Sequence, residues 1–346
     1  MREFIKKIIS FVKFIVSLIF SLFLILIIIC LIYGDNINYT SNILDYESSP
    51  FITNEELMKG PKENKFVFTF NGTRWQINYT LYEGLNDYLK GLSRTIKVHQ
   101  GENVTDKDFI MRDLNNEYQN EFLKPFVNYI ENLSLSRDDK ARIVISLVQN
   151  IPYDYKGLEE GNITGKYPYE VMYTMSGVCS EKSKLLVYLL RELGYGTAIF
   201  RFGPENHDAV GIKCPLEYSY KNTGYCFVES TAPTIITDSQ REYRNVGKLY
   251  SDPEVIVIND GYSFESVNIE YNDMIKYIEL EKFLEENENY KNVEKYELWL
   301  DLRRKYGLEE TECKNDTILC NGECWNKCEK GTFKCTKTGG ICELNT

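Results

Sequence analysis

Histidine occurs only twice in the 346 residues, at positions 99 and 207, so any chemistry that needs an imidazole base has two candidates. Positive charge is also in deficit. Forty Lys and Arg stand against 51 Asp and Glu, for a formal net charge of -11 and a pI near 5.0. Binding to nucleic acid requires a basic patch facing the phosphates. None is found along this chain, and nucleic acid is excluded as a partner. The ten cysteines include no Cys-x-x-Cys pair, which argues against a structural zinc site and for disulfides. No internal repeat is evident. What remains is 43% hydrophobic, enough for one large core or two ordinary ones.

The apolar residues are concentrated in one place. Residues 14–33 contain no charge, and 20 residues of helix at 1.5 Å per residue cover about 30 Å, the thickness of the hydrocarbon layer. Arg2, Lys6, Lys7 and Lys13 precede this run, while Asp35, Asp45, Glu47, Glu55 and Glu56 follow it. The positive-inside bias then predicts a cytoplasmic tail (1–13), a single-pass membrane helix (14–33) in contact with lipid, and an extracytoplasmic remainder. A cleaved signal peptide is the alternative, but its apolar run is shorter and ends in small residues, whereas this one ends Cys30-Leu31-Ile32-Tyr33. Seven Asn-x-Ser/Thr sequons, at Asn38, Asn71, Asn78, Asn103, Asn132, Asn162 and Asn315, all follow the anchor and fit an outside location.

Residues 34–64 are polar and aperiodic, with Ser48-Ser49-Pro50 and Gly60-Pro61, and read as a linker, so that folding begins near Lys65. A domain over 65–310 follows. Its lead-in is helical from Leu85 to Asn150, with Ser136 and Asp139 as a capping pair opening the run 141–149 and Pro152 closing it. Leu185, Leu186, Leu189, Leu190 and Leu193 recur at spacings of three and four, which predicts a helix from Cys179 to Gly194 with one buried face. Residues 197–201, 208–213 and 225–229 read as antiparallel strands, 253–258 as another, and 273–306 as two charged helices.

Thiol catalysis needs a thiolate, a base to generate it and a group to orient the base. An ordinary thiol, with a pKa of about 8.5, is only a few per cent ionised at pH 7. Cys179 falls where the helix begins, and the dipole and free N–H groups there favour a thiolate and can stabilise an oxyanion. Glu181, in the same turn, opposes this. His207 opens a strand two elements later, whereas His99 lies in polar surroundings, Lys97-Val98-His99-Gln100-Gly101, and reads as a surface residue. Alternation puts Tyr225, Phe227 and Glu229 on one face of the next strand, and a hairpin brings Glu229 beside His207. The plain alternative is a buried thiol, a satisfied strand histidine and a solvated carboxylate.

The segments Ser176-Gly177-Val178-Cys179-Ser180-Glu181-Lys182-Ser183 and Leu193-Gly194-Tyr195, then His207, then Phe227-Val228-Glu229-Ser230-Thr231-Ala232-Pro233, together resemble the core of the transglutaminase-like superfamily, in its prokaryotic membrane-anchored type. The resemblance covers residues 167–234. The helices before Ile151-Pro152-Tyr153 resemble what precedes that core in prokaryotic members. It implies an α+β, papain-like fold, a helix followed by an antiparallel sheet, with Cys179, His207 and Glu229 as catalytic residues and Tyr167 or Tyr169 donating to the oxyanion. The implied reaction is acyl transfer, or amide or peptide hydrolysis, through a cysteine thioester, with no cofactor or metal. An envelope protein or wall polymer would be the substrate. This chain departs from the family in having Glu229 where Asp is usual, and Asp208-Ala209-Val210 after the histidine where an aromatic residue often follows. A non-catalytic envelope protein that binds peptide or glycan is the alternative. A glutamine at 229 is expected to be milder than an alanine, since an amide can still hold the imidazole.

Cysteine arithmetic completes the reading. Cys313, Cys320, Cys324, Cys328, Cys335 and Cys342 are disulfide candidates in a stapled module over 311–346, which serves as a cap or as an attachment to a wall polymer. If Cys214 pairs with Cys226, Cys179 is left free. If His207 lies opposite Glu229, however, those two cysteines are four residues out of register, about 13 Å along a strand.

Overall fold

The computed structural model describes residues 52–97, 103–243, 246–287 and 290–308, with tail strands at 317–320, 323–326, 332–336 and 339–343. The expected membrane helix 14–33, His99, Cys313 and Cys328 lie outside the described residues. Among the described residues no helix is long and apolar enough to cross a membrane. The chain divides into two units, and Pro50–Arg94 with Val104–Thr346 forms the one that holds every element below. Of the other, Met1–Ser49 with Thr95–Asn103, only residues 95–97 and 103 are described.

Order begins inside the stretch expected as a linker. Helix α1 (Asn54–Leu57) is opened by Thr53, whose side chain accepts from Glu56 N while the Glu56 carboxylate accepts from Thr53 N, a reciprocal cap that the polar composition conceals. Strands β1 (Pro61–Phe70) and β2 (Thr73–Tyr82) form a hairpin around Asn71-Gly72, with φ of 48° and 73°, values that suit a tight two-residue turn. Pro61 occupies the first position of the hairpin, where a missing N–H is tolerated.

Helices α2 (Glu83–Gly91), α3 (Asp106–Leu114), α4 (Glu117–Glu131) and α5 (Arg137–Gln149) follow, then the short α6 (Tyr155–Glu159) and α7 (Pro168–Thr174). In α5 the Ser136 side chain accepts from Asp139 N at 3.1 Å, in keeping with the capping pair read from the sequence. Helix α8 (Cys179–Glu192) is the centre of the unit. Its leucine spacing predicts one buried face, yet every residue from Glu181 to Leu190 is buried. Helices α5 and α7 and strands of the sheet all pack on it. The polar face can be buried because its charged side chains are bonded to other groups: Glu181 caps backbone N–H groups, Lys182 meets carbonyls and Lys184 meets Asp113. Gly194, at φ 87°, ends it as expected.

The sheet is antiparallel, in the order β5-β4-β3-β8, from β3 (Thr197–Phe202), β4 (His207–Lys213), β5 (Tyr225–Val228) and β8 (Glu254–Asn259). A two-residue hairpin, β6 (Glu242–Tyr243) and β7 (Gly247–Lys248), lies between. Helices α9 (Asn268–Glu286) and α10 (Val293–Tyr306) flank the short β9 (Tyr290–Asn292). In the tail, β10 (Thr317–Cys320) pairs with β11 (Glu323–Asn326), and β12 (Thr332–Thr336) pairs with both β13 (Gly339–Glu343) and β9. The architecture is α+β.

The register across β4 and β5 differs by two residues from the expected one. Val210 faces Val228 and Ile212 faces Cys226. Continued by one residue, this register sets Glu229 level with Ala209, diagonal to His207 and still on its face of the sheet. The same shift halves the mismatch between the cysteines. Cys214 sits just past the end of β4 and forms a disulfide with Cys226 across a Cα separation of 5.7 Å. Cys179 is the free cysteine among the described residues.

Candidate active site

Cys179 is the first residue of α8 and is half-buried. The backbone before it is locked to the segment after α5: Tyr153 bridges Gly177, Asp154 N donates to Gly177 O at 3.1 Å, and Gly177 N donates to Pro152 O at 3.4 Å. A side chain at Gly177 would meet Lys182 Cγ at 3.2 Å and Val171 Cγ1 at 3.3 Å, a tight fit that its neighbours would have to shift by a few tenths of an ångström to admit. Glu181 does not face the thiol as an opposing charge. Its two carboxylate oxygens accept from Lys166 N at 2.8 Å and Val178 N at 3.1 Å, which makes it the cap of its own helix.

The thiol of Cys179 contacts Asn206 O at 4.0 Å, in the turn that delivers His207. The turn is fixed from behind. The Glu205 carboxylate accepts from Tyr250 N, Ser251 N and Ser251 Oγ at 2.7 to 2.9 Å, which holds its pKa down at about 2 despite an opposing desolvation effect. His207 is 2% exposed. Its Nε2 lies 2.8 Å from Glu229 Oε2, and the ring stacks on Tyr243 at 5.7 Å between centroids. Glu229 is fully buried, and its Oε1 accepts from Ser230 N, Thr231 N and Thr231 Oγ1 at 2.7 to 2.9 Å.

These contacts fix the tautomer. Three donors on one oxygen hold the carboxylate ionised: burial alone would raise the Glu229 pKa, but the His207 charge and these bonds bring it below the ordinary value. An ionised carboxylate can only accept, so Nε2 carries the proton. Among the described residues Nδ1 meets no hydrogen-bond partner, and it is the nitrogen left to take a proton from the thiol. Burial would depress the imidazole, but Glu229 and then Cys179 override it and raise its pKa to about 10, so the imidazolium is the favoured form beside the thiol.

The shifts have opposite signs and bracket a pH window. The raised His207 pKa contributes stability that is complete below about 6.5 and is lost as pH rises toward about 10. The lowered Glu229 pKa contributes stability present above about 4.5 and lost as pH falls through its folded value. Urea unfolding measured from pH 5 to 10 should therefore show stability falling above pH 6.5, with a flatter alkaline limb in His207→Ala. Parallel limbs in the two proteins would show that the imidazolium is not stabilised by its neighbours.

Neither tyrosine proposed for the oxyanion meets the thiol. The Tyr169 hydroxyl accepts from Tyr82 N at 2.6 Å and donates to Tyr82 O at 3.3 Å. Tyr167 is 2% exposed and lies under the Arg94 guanidinium, 4.4 Å from its ring. The tyrosine beside the thiol is Tyr153, whose phenol is raised by burial first and then by the charge of Cys179. It lies 26 residues upstream of the cysteine, and the bridge to Gly177 brings the two together. Tyr153, His207 and Tyr243 share the wall of a cavity of about 740 Å³ with Tyr155, Thr231 and Arg241.

No protein-family model matches the chain, and no curated protein matches it. One solved structure, described as the crystal structure of a TGase, is similar at 16% identity with a TM-score of 0.27, over 55% of this chain and 49% of its own. The chain thus spans about half the length of that structure.

Proposed function

We propose that this protein is a transglutaminase-like, papain-like thiol enzyme that performs acyl transfer or amide hydrolysis. One observation carries the reading: a free cysteine opens a buried helix beside a histidine whose far nitrogen is held by a buried, ionised carboxylate. A structural thiol needs none of this, and a satisfied strand histidine would not leave Nδ1 without a partner. In the reaction, the Cys179 sulfur attacks the carbonyl carbon of an amide. The C–N bond breaks, His207 gives its Nδ1 proton to the leaving amine, and the acyl group stays on sulfur as a thioester. Water or a second amine then attacks the thioester carbonyl and gives its proton to His207; the C–S bond breaks, releasing the acid or the new amide and restoring the Cys179 thiolate. Tyr153 and the backbone N–H groups at the start of α8 are the candidate donors to the oxyanion.

The cavity beside His207 is large enough for a peptide segment, which suits an envelope protein or peptide-bearing wall polymer as substrate. We read the chain as anchored in the membrane through residues 14–33 with the enzyme outside, followed by the Cys-rich module 311–346. The Cys214–Cys226 disulfide suits that oxidising side. The test is capture of the acyl-enzyme. Incubation of the full chain with envelope material and an acid quench should leave a hydroxylamine-labile mass on the peptide that contains Cys179. Recovery of unmodified Cys179 throughout, from protein whose thiol alkylates readily at pH 6, would favour the non-catalytic, peptide-binding alternative.

A further inference from the structure

Lys182 lies one turn beyond the nucleophile and is completely buried. Among the described residues its amine forms no ion pair with a carboxylate. It donates instead to three backbone carbonyls, Gln149 O at 3.3 Å, Ile151 O, and Thr231 O at 2.8 Å. A charge withdrawn from water without a counter-ion is expensive, and an apolar side chain of the same length would fill this space at less cost. The position of the three acceptors suggests what the charge does.

Ile151 leads into Pro152 and Tyr153, the segment bridged to Gly177. Thr231 is the residue whose N–H and hydroxyl both bond Glu229 Oε1. Gln149 extends the same junction, its amide donating to Glu229 O at 3.0 Å and to Thr234 O at 3.2 Å. We propose that Lys182 is the positioning residue of the thiol site: from the nucleophile helix it ties down, through backbone carbonyls, both the segment that carries Tyr153 and the loop that holds Glu229 against His207. The contacts run from Lys182 through Thr231 and Glu229 to His207, and the carbonyl of the residue before it, Asn206, meets the Cys179 thiol, on the helix that bears Lys182. The inference rests on the catalytic reading above.

The groups that face this ammonium are few. Glu229, from the sheet side, is the charge that acts on it; Cys179 and Glu181 stand on its own helix, His207 is bonded to Glu229, and the segment after α5 meets it through the carbonyls of Gln149 and Ile151 and carries Tyr153 and Asp154 beyond them. Burial lowers the lysine pKa to about 7, with the Glu229 charge opposing, so the side chain is close to half charged near neutrality, and its N–H groups donate to the carbonyls in either form. Removing it has two consequences for the thiolate. The imidazolium loses a repelling neighbour, which favours the pair. The Glu229 loop and the Tyr153 segment lose their common anchor, which disfavours it. The second effect dominates, because Glu229 is the largest influence raising the imidazole.

The experiment measures the rate of iodoacetamide alkylation of Cys179 in the full chain between pH 5 and 9, for wild type, Lys182→Met, Lys182→Gln and Leu186→Ala. In Lys182→Met the midpoint of the profile should rise by about one pH unit, with a roughly tenfold slower reaction near neutrality. Lys182→Gln, which keeps donors, should lie between it and wild type. Leu186→Ala destabilises the same helix without touching the carbonyls and should leave the midpoint in place. An unshifted midpoint in folded Lys182→Met overturns the proposal. So does failure of both Lys182 variants to fold, since the ammonium would then hold the fold and not the site. A wild-type Cys179 that resists alkylation defeats the catalytic reading itself, whereas a reactive wild type with an unshifted variant defeats only the role of Lys182.

Discussion

His207→Ala is expected to slow alkylation of Cys179 at pH 6 on the order of a hundredfold, with Cys179→Ala as the zero of labelling and of turnover. A thiol with the ordinary pKa of about 8.5 is roughly 0.3% ionised at pH 6, so the gain from an imidazole that accepts its proton has room for two orders of magnitude. In this protein the acceptor is well prepared. Nε2 is committed to Glu229, Nδ1 is open, and the ring is buried against Tyr243. Alanine removes the acceptor and the acid that protonates the leaving amine together. The dipole at the start of α8 survives the substitution and accounts for the residual reactivity. Equal alkylation rates at pH 6 in the wild type and His207→Ala would uncouple the two residues and remove the basis for a catalytic assignment.

Glu229→Gln is expected to be at least as damaging to turnover as Glu229→Ala, the reverse of the order the sequence suggests. A terminal amide has one acceptor oxygen and one donor nitrogen, and this site asks for acceptors on both sides. Turning the oxygen toward the loop satisfies Ser230 N, Thr231 N and Thr231 Oγ1, but sets an NH2 against His207 Nε2. The imidazole must then carry its proton on Nδ1, the wrong tautomer for receiving one from Cys179. Turning the oxygen toward His207 sets the NH2 against two backbone N–H donors, Ser230 N and Thr231 N, instead. Either way turnover should fall by about a hundredfold or more, in line with the large cost of a wrong tautomer in histidine-based triads. Glu229→Ala leaves room for water to serve the orphaned donors and imposes no tautomer. Turnover of Glu229→Gln near the wild-type rate would mean that Glu229 only packs beside the imidazole.

The parts of this site legible in the sequence are those governed by local periodicity and by scarcity. The leucine spacing places Cys179 at a helix start, two histidines leave few choices of base, and alternation puts Glu229 on the right face of its strand. Register was not legible, because it depends on where the loop between β4 and β5 ends. A shift of two residues leaves Glu229 on the same face, so the pairing with His207 survives it while the cysteine arithmetic does not. Tyr167 and Tyr169 enter only through the family resemblance, and Tyr153 carries no signal of its own in the sequence. Lys182 gave no signal at all. A lysine between polar neighbours on an amphipathic helix reads as solvent-facing, and only the packing of the α5 end and the Glu229 loop over it reveals its carbonyl partners.

The disulfide between Cys214 and Cys226 also bears on how the reactive thiol stays unpaired while the chain folds. The two half-cystines are 12 residues apart, and Cys179 is 35 residues before the nearer of them, by subtraction of their positions. Closing the longer loop costs about 1 kcal/mol more in chain entropy than closing the shorter one, so the unfolded chain already favours the native pair by several-fold over a bond that captures Cys179. Once the hairpin of β4 and β5 forms, neither of these two thiols is left to capture Cys179. Correct pairing is thus a kinetic safeguard written into the spacing of the cysteines, one that spares the nucleophile before the helix that shelters it has docked.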